Sequence, residues 1–347
     1  MTPKDRWLAV LSGERPDRVP MDYWATTEAT DKLKAHLGID DEREVMEALH
    51  IDRPLTVGPS YVGPAPPVGS DIYGCRHQLV DYGSGSYSEC VFHPLAEYDS
   101  VEAIKAGYSW PRPDWYDYSQ LPQQVRGWED YPIRGGGSEP FLLYKKLRGE
   151  AQAFMDLIEH PDIVDYCLDK LFDLAREDST RIYEALPGQV NISYAAEDMG
   201  GQEALMISAG HIRRFLLPRM KRMIDLAHEA GAYVFFHSDG AIRDILPDMI
   251  DLGIDVLNPI QWRCAGMARD ALKRDFGDRL IFHGGVDNQQ TLPFGTVDEV
   301  KEEVTENLQI LGNRGGYILA PCHNIQSVSS PENVVALYET GLREGRM

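Results

Sequence analysis

The sequence predicts an α/β fold, a single (β/α)8 TIM barrel, on three observations. Short β-rich segments ending in polar or Gly-rich turns alternate with amphipathic helical segments, as parallel βαβ units do. The run Ala232-Tyr233-Val234-Phe235-Phe236 is continuously apolar up to His237, as a strand buried on both faces must be. The first strand-like segment leads into Trp24-Ala25-Thr26-Thr27-Glu28 and not into a glycine-rich phosphate loop, which argues against a doubly wound open sheet.

Eight strands are expected, at Arg18–Trp24, Pro54–Gly58, Pro132–Gly135, Val190–Ala195, Ala232–His237, Val256–Pro259, Leu280–Gly284 and Tyr317–Pro321. Between them, Asp162–Leu186 carries Ile163, Val164, Cys167, Leu168, Leu171 and Phe172 at helical spacing. Ile212–Ala230 does the same with Phe215, Leu216, Met220, Met223, Ile224 and Ala227. The last helix opens Ser330-Pro331-Glu332: a capping Ser, a Pro at the first helical position and an acid in the first turn. The Gly/Pro/Tyr-rich stretch of residues 61–94 alternates weakly around Leu79–Asp81 and Ser86–Val91. It is expected to be a β-hairpin excursion near the barrel mouth, a decoration on one domain spanning residues 1–347.

Composition narrows the function classes. The chain has 347 residues, 43% hydrophobic and 26% charged, enough apolar material for a large core. With 55 acidic against 34 basic residues the formal charge is −21. That field repels phosphate backbones and anionic membrane surfaces, so nucleic acid is excluded as a partner, and a highly anionic substrate would need a local cluster of cations. No apolar run reaches the roughly 18–20 residues of a membrane helix, and the start shows no signal-peptide pattern. The cysteines, Cys75, Cys90, Cys167, Cys264 and Cys322, are scattered and form no CxxC pair. Together these features point to the reducing cytoplasm.

In a parallel barrel the residues just beyond each strand share one mouth. His237 and Asp239 follow the fifth strand; imidazole and carboxylate are zinc-type ligands, though Asp239 could equally cap a following helix. Cys322 and His323 follow the eighth, as metal ligands or as a buried thiol beside a loop His. Glu197 and Asp198 follow the fourth as candidates for acid/base work, and alternation along a strand end lets only one of them face the site. Asn258 and Gln261 follow the sixth strand, His283 and Asp287 line the seventh, Arg134 lies on the third and Arg53 precedes the second; these six are candidate substrate contacts.

At these residues the sequence resembles the uroporphyrinogen decarboxylase superfamily, which also holds zinc-dependent methyltransferases that work with corrinoid proteins. The resemblance runs along nearly the whole chain. It rests on Leu11-Ser12-Gly13-Glu14-Arg15-Pro16-Asp17-Arg18-Val19-Pro20, Glu197-Asp198-Met199-Gly200, Phe236-His237-Ser238-Asp239-Gly240, Asp255-Val256-Leu257-Asn258-Pro259 and Gly316-Tyr317-Ile318-Leu319-Ala320-Pro321. The decarboxylases carry an Arg-rich segment after the first strand; Asp22-Tyr23-Trp24-Ala25-Thr26-Thr27 has no Arg, which disfavours an octacarboxylate substrate. The methyltransferase branch is closer. Its zinc is held by His-x-Cys after the fifth strand and a Cys after the eighth. His237 matches the first ligand, Asp239 replaces the first Cys, and Cys322 or His323 matches the last.

The resemblance therefore implies a zinc-assisted methyltransferase moving a methyl group between a small, methoxylated type of substrate and a corrinoid carrier protein. His237, Asp239 and Cys322 would be its ligands, and Glu197 a further ligand or proton shuttle. A first alternative is a decarboxylase or other lyase on a small carboxylic acid or porphyrinogen-like substrate, with Arg53 or Arg134 holding the carboxylate and Asp198 or His323 moving protons. A second is a non-catalytic tetrapyrrole-binding barrel using Tyr61, Tyr73, Tyr82 and Tyr87. Relatives of this kind often pair, so a homodimer is expected.

Overall fold

The computed structural model describes residues 1–81, 83 and 86–346. Among these, seven strands form one curled parallel sheet whose spatial order follows the chain. They are β1 (Leu55–Thr56), β2 (Ile133–Ser138), β3 (Ile192–Ala196), β4 (Tyr233–His237), β5 (Val256–Asn258), β6 (Ile281–Val286) and β7 (Tyr317–Pro321). Each matches a segment expected from the sequence to within a few residues.

The segment Arg18–Trp24 makes no extended ladder. It holds one parallel bridge, Met21 to Leu319 of β7. The Leu319 amide donates to the Pro20 carbonyl and the Asp22 amide to the Leu319 carbonyl, both at 2.9 Å; on the other side the Asp52 amide donates to the Met21 carbonyl at 2.7 Å. Pro20 removes a backbone donor beside Met21, which keeps the pairing short.

Helices cover the outer face. Helix α1 (Pro140–Arg148) follows β2, and α2 (Pro161–Ala185) buries Ile163, Val164, Cys167, Leu168, Leu171, Phe172, Ile182 and Tyr183 on one side. The expected helix over 212–230 is present in two parts, a π-helical turn at Ile212–Leu216 and α3 (Leu217–Glu229). Pro218 explains the break, since it offers no N–H to the carbonyl four residues back. At the start of α4 (Pro331–Glu344), the Ser330 side chain accepts from the Asn333 amide, the cap read from the sequence.

The excursion contains an antiparallel hairpin, Arg76–Asp81 against Ser86–Phe92. At its base the Cys75 and Cys90 thiols lie against the Lys146 carbonyl, at 3.4 and 3.7 Å, near the C-terminal end of α1. Tyr61 donates to the Pro64 carbonyl and the Tyr73 carbonyl accepts from Tyr108, so both are engaged in local packing. Tyr87 is exposed on the hairpin, and Tyr82 falls outside the described residues. No helix among the described residues is long and apolar enough to cross a membrane.

Candidate metal centre at the strand ends

His237 is the last residue of β4, with Asp239 two residues on, and Asp198 lies two residues beyond β3. Because β3 and β4 are parallel neighbours in register, Ala196 opposite His237, their outgoing loops leave the sheet side by side. Two glycines let the loops touch. A Cβ on Gly240, whose φ is +85°, would lie 2.4 Å from the Gly200 carbonyl carbon, and one on Gly200 would lie 2.7 Å from the Ala241 amide nitrogen. This contact brings Asp198 to Asp239, whose amide donates to the Asp198 carboxylate at 3.0 Å. Gly240→Ala should therefore separate the loops and lower stability by about 1–3 kcal/mol; chemical denaturation reads the loss, and an unchanged midpoint would contradict the packing.

One ligand atom from each of Asp198, His237 and Asp239 lies within 4.8 Å of the others. The His237 Nε2 is 3.6 Å from Asp198 Oδ1 and 4.0 Å from Asp239 Oδ1. On the far side of Asp239, His323 Nε2 stands 3.7 Å from Oδ2, so residues trailing β3, β4 and β7 share one place. Burial raises the Asp239 carboxyl above its ordinary range, while His237 and His323 pull it back. Gln261 holds this carboxylate in place, donating to Oδ1 at 2.9 Å while its own oxygen accepts from the Gly240 amide at 2.7 Å.

His237 is oriented by a buried chain of side chains. Its Nδ1 donates to Asn258 Oδ1 at 2.5 Å; the Asn258 amide nitrogen donates to His283 Nδ1 at 2.7 Å; His283 Nε2 donates to Asp22 Oδ2 at 2.9 Å. An amide has one donating and one accepting end, so Asn258 sets both tautomers. The His237 Nε2 is left facing Asp198 and Asp239. Burial pushes the Asp22 carboxyl up, but the His283 bond and charge, the Arg134 charge and the Tyr23 amide together outweigh it and the group lies below its ordinary value; burial pushes His283 down. Asn258→Leu should keep the fold but lower divalent-metal affinity by about 10–100-fold, measured by competition with a chromophoric chelator; an affinity equal to wild type would remove Asn258 from this role.

The other expected residues fall in different places. Glu197 points away from the cluster and accepts from the Phe141 amide at 2.9 and 3.1 Å, serving the first turn of α1; its full burial raises the carboxyl well above its ordinary range. The Cys322 thiol donates to the Ile260 carbonyl at 3.0 Å and is raised by burial, and the third donor beside His237 and Asp239 is Asp198. Asp287 accepts from the Gln289, Gln290 and Thr291 amides and from Arg263, closing a turn. Arg53 is half exposed and paired with Glu42.

Two cavities open at this end of the sheet and share Asn324. One, of about 580 Å³, is lined by Asp22, Trp24, Arg53, Thr56, Arg134 and Tyr194 among others. The other, of about 390 Å³, is lined by Asp239, Gln261, Asp287, Cys322 and His323 among others. The sequence reading did not find Trp24 and Tyr194, whose rings each lie 5.8 Å from the His237 ring, nor Asp22 behind His283. Aromatic residues in strands are too common as core to stand out, and Asp22 becomes informative only once its distance from His283 is known.

A curled parallel sheet flanked by helices, with a cluster of potential metal ligands where its strands end, defines an α/β protein of the barrel-mouth type. The chain belongs to the uroporphyrinogen decarboxylase (URO-D) family, whose sequence pattern matches residues 124–342. It is 22% identical over 216 residues to the uroporphyrinogen decarboxylase of Neisseria gonorrhoeae, an alignment covering 60% of this chain and 54% of that one, so the match spans about half of the relative's length. Among solved structures, a methyltransferase from Methanosarcina mazei shares the fold over 99% of both chains, with a TM-score of 0.67 and 23% identity.

Proposed function

We propose that the protein is a zinc-assisted methyltransferase, moving a methyl group from a small, methoxylated type of substrate to a corrinoid carrier protein. The observation that carries the reading is the Asp198–His237–Asp239 cluster at the ends of adjacent strands in a member of this family. One imidazole nitrogen and two carboxylate oxygens are a donor set that zinc accepts, and three protein ligands leave a further position for substrate. The ion would supply Lewis acidity toward a substrate oxygen. Asn258 keeps the His237 lone pair directed inward, Gln261 holds Asp239, and His323 is close enough to Asp239 to hold or release a proton beside the leaving group. On this reading the Met21 segment is the eighth stave of a closed (β/α)8 barrel, and its bonds to β7 and to Asp52 support that closure.

A second reading, a carboxy-lyase, is favoured by the Arg134 guanidinium in the larger cavity. It needs no metal and uses Asp198 or His323 for protons. One assay separates the two. With zinc-loaded protein, a methoxylated substrate and cob(I)alamin, methylcobalamin is expected to accumulate without CO2; CO2 release without methylcobalamin, unaffected by chelation, would overturn the methyltransferase reading.

A further inference from the structure

We propose that the cavity of about 580 Å³ is the substrate chamber and takes a planar organic monocarboxylate, with Arg134 as its anchor. This deepens the proposed function by giving that site a substrate class. Arg134 makes no ion pair within 4.0 Å among the described residues, though Asp22 acts on it through space, and its Nε donates to Thr56 Oγ1 at 3.0 Å. The carboxylate nearest in charge, Asp22, is already occupied by the Tyr23 amide, the Trp24 indole N–H and His283. A half-buried guanidinium with donors to spare fits a carboxylate in a two-pronged manner.

The walls give the shape. The Arg134 Cζ lies 5.7 Å from the Trp24 ring and 5.6 Å from the Tyr194 ring. The same two rings each lie 5.8 Å from the His237 ring. An anion anchored at Arg134 lies beside these two rings; Asp198, His237 and Asp239 do not line this cavity, and Asp239 lines the neighbouring one that shares Asn324. Aromatic walls favour a flat, unsaturated or aryl body. The chain's charge of −21, and Asp22, Asp31 and Glu42 in the cavity wall, repel polyanions, so Arg134 suits a single negative charge.

Calorimetric titration with 4-methoxybenzoate and with its neutral analogue 4-methoxybenzamide tests the assignment, on zinc-loaded and on chelated protein. The benzoate is expected to bind about tenfold or more tightly than the amide. Arg134→Gln should abolish that preference, Arg134→Lys should keep part of it, and Trp24→Leu should weaken both ligands; circular dichroism checks that each variant is folded. The preference should survive chelation. Equal binding of the two probes, no binding of either, or a preference retained in folded Arg134→Gln would overturn the chamber assignment. Zinc missing from a protein that still prefers the benzoate would sink the metal reading alone, and zinc present without the preference would sink this one alone.

Discussion

His237→Ala is expected to lower zinc affinity by more than about a hundredfold, beyond the 10–100-fold usual for residues that only orient a ligand. The physical reason lies in the donor set. His237 supplies the only nitrogen in the cluster, and its Nε2 stands between the two carboxylates, 3.6 and 4.0 Å from their oxygens. Without it, Asp198 and Asp239 are two like charges in a partly dry place, and a weaker, hydrated ion is all they can hold. Packing suffers less, because the β4 strand keeps Val234, Phe235 and Phe236 in the core. Equilibrium dialysis followed by metal analysis reads the effect. Zinc bound to the variant as tightly as to wild type would mean that the ion, if any, sits elsewhere.

Asp156→Ala is expected to lower stability by about 3–5 kcal/mol, with a fall in Tm of roughly 5–10 °C. Asp156 and Arg148 are both fully or almost fully buried, joined at 2.7 Å. The Asp156 carboxylate also accepts from Tyr144 at 2.5 Å and from Gln152 at 2.8 Å. Removing it leaves the Arg148 charge in the core with only the Leu95 and Tyr98 carbonyls as partners. Burial pushes the Asp156 carboxyl up, and the Arg148, Tyr144 and Gln152 bonds with the Arg148 charge together overcome it, so the group lies below its ordinary value. A carboxyl lowered by folding stabilises above its unfolded pKa of about 4 and loses that contribution as pH falls further. The difference between wild type and Asp156→Ala should therefore be full at neutral pH and shrink in acid. A loss below about 1 kcal/mol at pH 7 would contradict the picture of a charge pair that needs both members.

Much of the fold was legible because parallel strands buried on both faces are continuous apolar runs, and β4 is one. The helix over 212–230 was legible too, but the π turn was not, since it follows from how Pro218 shifts the backbone bonds of the preceding turn. The first strand read as a strand from its apolar content, yet Met21 makes a single bridge, with Pro20 beside it offering no donor. At the site, His237 and Asp239 were candidate ligands from their place at a strand end and from the family resemblance, with helix capping by Asp239 left open by spacing alone. Of the adjacent pair Glu197 and Asp198, alternation said that one would face the mouth but not which. The choice comes from α1, whose Phe141 amide captures Glu197 and leaves Asp198 to the cluster. Asn258 was legible as a polar residue at a strand end, and its part in orienting His237 depends on β4 and β5 being neighbours.

Anomalous X-ray scattering at the zinc absorption edge, from crystals of protein grown with zinc, tests the central claim most directly. The account predicts one peak at about 2.0–2.2 Å from His237 Nε2 and from an oxygen each of Asp198 and Asp239. A structure with no peak there, or with zinc bound at other residues, would contradict it.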